Sequence, residues 1–485
     1  MSTSGPAHRV ESAAVEYGYP QGHLGHLSGE EEEAFRNFKA YCQEKGYFTP
    51  REGGKEASHD DPTLLRFLRA RRFVVADAYK QFQETEDWRK ANEIDKLYET
   101  IDLEQYEETR RLYPQWTGRR DRRGIPVYVF EVKHLNSKTM SAYEKSASTT
   151  KSQAKTDGKI SPKLLRLFAL YENLIRFTMP LCTALTDRDH PRTPITQSNN
   201  IVDISGVGLK QFWNLRTHMQ DASTLATAHY PETLDRIFII GAPAFFPTVW
   251  GWIKKWFDPI TTSKIFIIAH ADVKKTLESF IDPVNIPKKY GGQLDFEFGH
   301  QPVLDPHLNS VCQWEGKHTN FPEGPIHWEH VGEDKIKAVA RGTLPGSHAQ
   351  RNEEVCTVTR KLPDEPQPVE SQPIRPDMLS APTETEIPTT SVPATETAAP
   401  VAAPTTETSA PAPVAPVAVA KDEVSEGTAV EAGQIVSDSR PAPQTFVTAS
   451  EGLPKVGDLS ISEKVPETGN HSTRAGALLD PTLKN

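Results

Sequence analysis

Residues 230–270 read YPETLDRIFIIGAPAFFPTVWGWIKKWFDPITTSKIFIIAH. Two apolar runs, RIFIIG (236–241) and KIFIIA (264–269), flank a segment carrying Trp250, Trp252 and Trp256. Apolar runs without alternation are the pattern of strands buried on both faces of a sheet. Glu232, Thr261 and Lys264 stand at the joints of this stretch. Read as a helix from Phe245 to Asp258, the intervening segment lines up Phe246, Val249, Trp250, Ile253, Trp256 and Phe257 in one apolar stripe. Trp252 falls off that stripe, and Lys254 and Lys255 are the only charges before Asp258. Such a helix is either a buried crossover or the cover of an apolar cavity that meets a bilayer when it opens. Tryptophan beside lysine suits an interface with anionic head groups.

Outward from this stretch, strands and helices alternate. IPVYVFEV (125–132) and NIVDIS (200–205) read as strands, and a long helix starts near Ser161 and Pro162. QFWNLRTHMQDASTLATAHY and VKKTLESF read as helices, and IPKKYGG (286–292) closes the unit. Asn136–Gly158 reads as a polar, poorly patterned insertion. This alternation implies α/β architecture, a sheet with parallel pairs and right-handed crossovers, over residues 116–300.

Before it, residues 31–115 read as an all-helical unit. EEEAFRNFKAYCQEKG puts Phe35 and Phe38 on one face and stops at Gly46; DDPTLLRFLRARRFVVADAYKQFQETEDWRKAN gives two helices broken at Phe73–Ala76. Residues 1–30 read as a flexible N-terminus. Residues 301–345, with Trp314 and Trp328, read as an appended segment packed on the α/β unit.

The formal net charge is -10, and residues 346–485, with 20 acidic and 10 basic residues, carry all of it. That region is rich in Pro, Thr, Ala and Glu and has one aromatic residue, Phe446, too few to offset the entropy of ordering. We read 346–485 as a disordered tail, solubilising or partner-binding. Cys42, Cys182, Cys312 and Cys356 form no CxxC pair, which supports neither zinc nor a disulfide scaffold. The N-terminus lacks a signal-peptide core, and Ile237–Ile253 is broken by glycines and prolines, so no spanning helix is expected. A cytosolic location is the default.

Catalytic patterns are missing. DISGVG lacks the leading glycine of a nucleophile elbow, and Gly206-Val207-Gly208 fails the dinucleotide spacing at Gln211. HWEH (327–330) reads as surface, and RRDRR (119–123) as a basic hairpin, either solvated or facing an anionic membrane.

DDPTLLRFLRARRF, WRK, YPQW, RRGIPVYVF, YPETLDRIFIIGAP, FDPITTSKIFI and IPKKYGG, in that order, resemble the CRAL-TRIO lipid-binding family. Within it they resemble the yeast-type phosphatidylinositol/phosphatidylcholine transfer proteins, from about Glu31 to Leu294. The resemblance implies a helical N-terminal unit on an α/β domain that encloses one lipid beneath a mobile gate helix, here Phe246 to Phe257. It implies no reaction, no catalytic residue, no metal and no cofactor beyond bound phospholipid, with no nucleic acid among the partners.

The positions that hold an inositol phosphate head group match Arg71, Glu232, Thr261 and Lys264. The choline-lipid site matches at Tyr128, Tyr171 and Ser198, but Thr117 and Asn200 depart from it, and Gly241 replaces an asparagine. These departures leave the second hydrophobic ligand open among phosphatidylcholine, a sterol, another apolar molecule and a haem. A haem- or sterol-binding member of the same fold is the rival to phospholipid transfer, with Tyr128, Tyr171 and His229 as haem candidates. The implied act is lipid exchange at endoplasmic reticulum, Golgi, endosomal or plasma membranes, or presentation to a lipid kinase. A lipid-sensing scaffold acting through the tail is the alternative from another class.

Overall fold

The computed structural model describes residues 18–256, 259–332 and 334–362. The expectations for residues 1–17, Phe257, Asp258 and 363–485 lie outside the described residues.

Helices α1 (Gly29–Glu44), α2 (Asp61–Ala70) and α3 (Val75–Ala91) form the N-terminal unit. Ser28 and Glu31 close a capping box on α1. The Asp60 carboxylate accepts from the Thr63 amide, and Pro62 occupies the first turn of α2. Phe35, Phe38, Leu64, Leu65, Leu68 and Phe82 interlock in one core. Residues 18–28 are not the flexible lead expected: Tyr19 is buried and donates its hydroxyl to the Thr193 carbonyl at 3.2 Å. Helices α4 (Ile94–Thr100) and α5 (Leu103–Arg110) lead to the sheet.

Strands β1 (Gln115–Arg120), β2 (Pro126–Glu131), β3 (Ser198–Asp203), β4 (Leu234–Ile240) and β5 (Ile265–Ile267) lie in that order. β1 and β2 form an antiparallel hairpin, and β2 to β5 run parallel with Tyr128 opposite Asn200 and Ile237 opposite Ile265. One face of the sheet, Val127, Val129, Ile201 and Phe238, is fully buried against Leu277, Ile281 and Ile286. On the other face Phe130, Val202, Ile237 and Ile265 are only partly buried. The KIFIIA run is therefore no central strand: β5 is an edge, and Ile267 is 45% exposed.

Connections carry the remaining helices. Asn136–Gly158 is better ordered than its composition suggests, since α6 (Ser137–Ser146), capped by Asn136, buries Met140 and Tyr143. The long helix runs as α7 (Pro162–Asn173), a π turn at Leu174–Thr178, and α8 (Met179–Ala184). Pro180 lacks the amide needed to continue the regular ladder, which accounts for the irregular turn just before it. α9 (Leu209–His229) crosses from β3 to β4. α10 (Phe246–Ile253) continues as a 3-10 turn at Lys254–Trp256, and α11 (Pro259–Ser263) precedes β5. α12 (Val273–Glu278) then packs under the sheet.

The C-terminal segment is a second sheet. After α13 (Pro306–Val311), strands β6 (Cys312–Trp314), β7 (Ile326–His330), β8 (Lys335–Ala340) and β9 (Glu353–Thr359) pair antiparallel in the order β6-β9-β8-β7. The boundary at 345 is thus too early: Val355, Cys356 and Val358 on β9 are buried in a core shared with Leu174, Phe177 and Leu181. His327, read from sequence as surface, is buried on β7 beside Glu329, whereas His330 is exposed.

The RRDRR turn is an ion-paired cluster rather than a free basic patch, although Arg122 is exposed. Arg120 is buried and clamps Asp187 at 2.7 Å and Asp305 at 3.2 Å, and Arg123 pairs with Asp121 and Asp235. Arg122 pairs with Asp282 at 3.0 Å, so most of the charge is neutralised by distant carboxylates.

Candidate functional site: a buried ion cluster beside a partly uncovered apolar face

Glu232 lies in the turn from α9 to β4 with a φ of 57, a left-handed conformation uncommon for a side-chain-bearing residue. The preceding Pro231 and the buried Tyr230 hold the turn in place, and Tyr230 donates to the Glu172 carboxylate at 2.7 Å. Lys264, at the entrance of β5, approaches Glu232 at 3.3 Å and donates to the Leu234 carbonyl at 3.0 Å. From α2, Arg69 reaches the same Glu232 oxygen at 3.3 Å. All three side chains are nearly closed to solvent: 7% exposed for Arg69, 13% for Glu232 and 11% for Lys264. Thr261, on α11, is half-buried three residues before Lys264, whose amide donates to the Thr261 carbonyl at 3.1 Å.

Sequence reading missed Arg69. It chose Arg71, which caps the C-terminus of α2 and donates to the adjacent Ala70 carbonyl at 3.4 Å. Arg66 and Arg69, three apart, share a helix face and are both buried, at 5% and 9% exposed. Arg66 donates to the Pro231 carbonyl at 3.4 Å, and Arg69 contacts the buried His23 of the N-terminal segment. The overlooked signal was two arginines amid the leucines of α2 with no acid on the same helix face. Such cations need partners from elsewhere in the fold.

The residues matched by resemblance to a choline-lipid site separate into two groups. Tyr128 and Asn200 are opposite one another on β2 and β3, and Ser198, two residues before Asn200, shares their face. Tyr128 donates to the Thr178 hydroxyl of the π turn at 3.0 Å, and the Asn200 amide donates to Ser198 at 3.1 Å. Thr117 is fully buried and bonded to the Val127 carbonyl. Tyr171 instead stacks on Tyr230, at 5.0 Å between ring centroids, beside the partly buried sheet face. His229 lies flat against Trp88 at 4.1 Å, which fills one side of its ring. Burial depresses the His229 pKa to about 4 and raises that of the Tyr171 hydroxyl to about 12, leaving both neutral. Gly241 has a φ of 69, and a Cβ there would meet the Ser205 amide nitrogen at 2.9 Å, which suits glycine and opposes asparagine.

The WRK block has a structural task. Arg89 forms a two-pronged pair with the fully buried Glu172 at 2.7 and 3.1 Å, tying α3 to α7. The Arg89 cation, which comes second to the burial that opposes it, holds the Glu172 carboxyl below its ordinary range.

On α10, Phe246 and Val249 are buried, at 5% and 1% exposed, and Trp250 packs partly buried beside them. Trp252, off the stripe, meets Trp213 of α9 edge-on at 6.0 Å. Beneath lie the incompletely covered Phe130, Val202, Ile237 and Ile265. The arrangement can hold an apolar chain against the sheet, with a charged cluster at one end.

A family model described as the CRAL/TRIO domain matches residues 110–292, and the CRAL/TRIO N-terminal domain matches residues 34–84. The SEC14 cytosolic factor of Eremothecium gossypii is 30% identical over 300 residues, covering 62% of this chain and 87% of that protein. This chain belongs to the CRAL-TRIO family.

Its SEC14 relative in Yarrowia lipolytica is 31% identical over 63% of this chain but only 56% of its own length. A phosphatidylinositol/phosphatidylcholine transfer protein of Arabidopsis thaliana, SFH7, is 33% identical over 48% of this chain and 40% of that protein. The solved structure of Sfh5 aligns with 58% of this chain and 93% of that one, at 16% identity and a TM-score of 0.42. Lipid binding and transfer is thus the function that the CRAL-TRIO relatives support at family level. Among the described residues no helix is long and apolar enough to cross a membrane, and no group of three or more His, Cys, Asp or Glu could hold a metal ion.

Proposed function

We propose that this protein loads one phosphatidylinositol molecule and exchanges it with a membrane by moving α10 as a gate. One observation carries the reading. The Arg69–Glu232–Lys264 cluster stands at the end of a sheet face whose apolar side chains are left partly uncovered. A buried ion cluster costs desolvation that its own pairing barely repays. A ligand with phosphate oxygens for the cations and hydroxyls for Glu232 adds charge-assisted bonds that offset that cost. Arg71 and Thr261 extend the polar end, the former as a guanidinium fork for phosphate. Acyl chains lie against Ile237 and Ile265, and α10 covers them with Phe246 and Val249. Tyr128, Tyr171 and Ser198 contribute to a second hydrophobic ligand. Delivery runs between cytosolic membranes or to a lipid kinase, without catalysis by this chain.

The test is mass spectrometry of lipid extracted from the purified protein, with its visible spectrum. Phosphatidylinositol species that vanish in Lys264→Ala combined with Glu232→Lys are the expected result. A Soret band, or a sterol with no inositol lipid, would overturn the head-group assignment.

A further inference from the structure

Pro62, Leu65, Arg66 and Arg69 recur at helical spacing on one face of α2 and line a small cavity together with Leu24 and Pro194. Its volume, over the positions open to the centre of a water molecule, is about 10 Å³, room for one occupant of about water's size. Arg66 is 5% exposed. Its Nη1 donates to the Pro231 carbonyl at 3.4 Å, a long bond, and it makes no ion pair among the described residues. Nε and Nη2 make no hydrogen bond among the described residues, yet neither is sealed from water. Arg66 lines this cavity, so these are the donors it can offer an occupant. A guanidinium keeps its charge in a protein. Arg66 is therefore a buried cation beside a cavity, with open donors and no counter-ion among the described residues.

The carboxylates whose charge reaches Arg66, Asp60 and Glu172, are engaged elsewhere: Asp60 caps α2 and Glu172 pairs with Arg89. Glu232 is shared by Arg69 and Lys264. His23 adds no negative charge. Its Nδ1 lies 3.0 Å from the Gln21 carbonyl and donates to it, which leaves Nε2 to accept from Arg69. Burial, the largest influence, draws the Arg66 pKa down, the direction of a cation short of counter-charge. A buried charge without a partner is unfavourable. A water would fill the volume and leave the charge uncompensated. Phosphate and sulfate are too large for it, and too strongly hydrated for walls of Leu24, Leu65 and Pro194.

We propose that this cavity binds one monatomic monovalent anion, chloride being the abundant ion of that class, held by the Arg66 guanidinium. Chloride is little larger than a water, gives up its hydration more readily than phosphate, and accepts from the open Arg66 donors. Arg69, one turn further along α2, adds positive potential. The site is independent of the lipid reading, in which Arg66 has no part.

The experiment follows the ³⁵Cl line width of sodium chloride solutions of the full chain. A one-atom ligand at the ceiling of ligand efficiency has a dissociation constant of about 0.1 M, so chloride replaces gluconate up to about 1 M at constant ionic strength. The expected result is a saturable excess line width that bromide displaces and inorganic phosphate at the same concentration does not. Loss of a charged donor weakens binding about tenfold or more, so the saturable component should be missing from Arg66→Met over this range. Saturable broadening that Arg66→Met retains in full, or none in the wild type, would overturn the site. Displacement by phosphate as effective as by bromide would overturn the monatomic assignment. Should Arg66→Met fail to fold, wild-type crystals grown in sodium bromide carry the test. An anomalous-scattering peak beside the Arg66 guanidinium is expected, and its absence would overturn the site.

Discussion

One carboxylate, Glu232, is shared by Arg69 and Lys264, each at 3.3 Å, and this sharing predicts an asymmetry between its two simplest disruptions. Glu232→Gln keeps the shape but leaves two cations, 7% and 11% exposed, without their counter-ion. Breaking a buried pair in this way costs about 3–5 kcal/mol. Lys264→Met removes one cation and leaves Glu232 paired with Arg69. It forfeits the bond to the Leu234 carbonyl, about 1–2 kcal/mol, and relieves the desolvation of an ammonium. For a unit of this size about 2 °C accompanies each kcal/mol. Glu232→Gln should therefore lower the melting temperature of lipid-free protein by roughly 6–10 °C and Lys264→Met by roughly 2–4 °C. Differential scanning calorimetry reads both. Lys264→Met destabilising as much as Glu232→Gln would refute the shared-carboxylate argument, because Arg69 would then not be holding Glu232. If the proposed inositol-lipid site is right, each lost charge-assisted bond to phosphate should weaken inositol-lipid binding by roughly 10- to 150-fold in a vesicle binding assay.

Other outcomes follow from other parts of the fold. Glu172→Leu, which leaves the largely buried Arg89 only the exposed Asp95 at 2.7 Å, should cost up to about 3–5 kcal/mol, and adding Arg89→Met should recover much of that in urea denaturation. His218 and His229 are both depressed to about 4, below an unfolded value near 6.5. The unfolded chain then binds their protons first, so each histidine removes about 1.4 kcal/mol of stability per pH unit as pH falls from 6.5 towards 4. In His229→Gln the urea-derived slope over that window should shrink by one histidine's share. Trp213→Ala removes the edge-on contact to Trp252, worth about 0.5–1.5 kcal/mol, and should speed lipid exchange between vesicles about 2- to 10-fold. Unchanged exchange would remove Trp213 from the gating account. A chain ended at residue 345 loses β9 and should unfold at markedly lower urea than one ended at residue 362, because Ile336 and Ala338 lose their cover.

The elements that sequence alone determined were those written in local pattern. Period and capping gave α1 to α3, and the unbroken apolar run of β4 marked a parallel core strand. Seven ordered blocks carried the family. Glu232 and Lys264 were legible because each stands at a joint between recognisable elements. Tertiary structure decided what depends on partners far away in the chain. β9 looked like part of the tail because a strand's worth of alternation carries little signal until β8 and β6 pair with it. β5 shares its apolar run with β4, yet lies at the edge because no further strand joins it. The RRDRR turn looked like a basic patch because Asp187, Asp235, Asp282 and Asp305 lie at least 65 residues away in sequence from their arginines. Arg69 rather than Arg71 meets Glu232 for the same reason. Helical periodicity tells which arginine faces inward, but only the packing of α2 on the Tyr230–Glu232 turn sets what it meets.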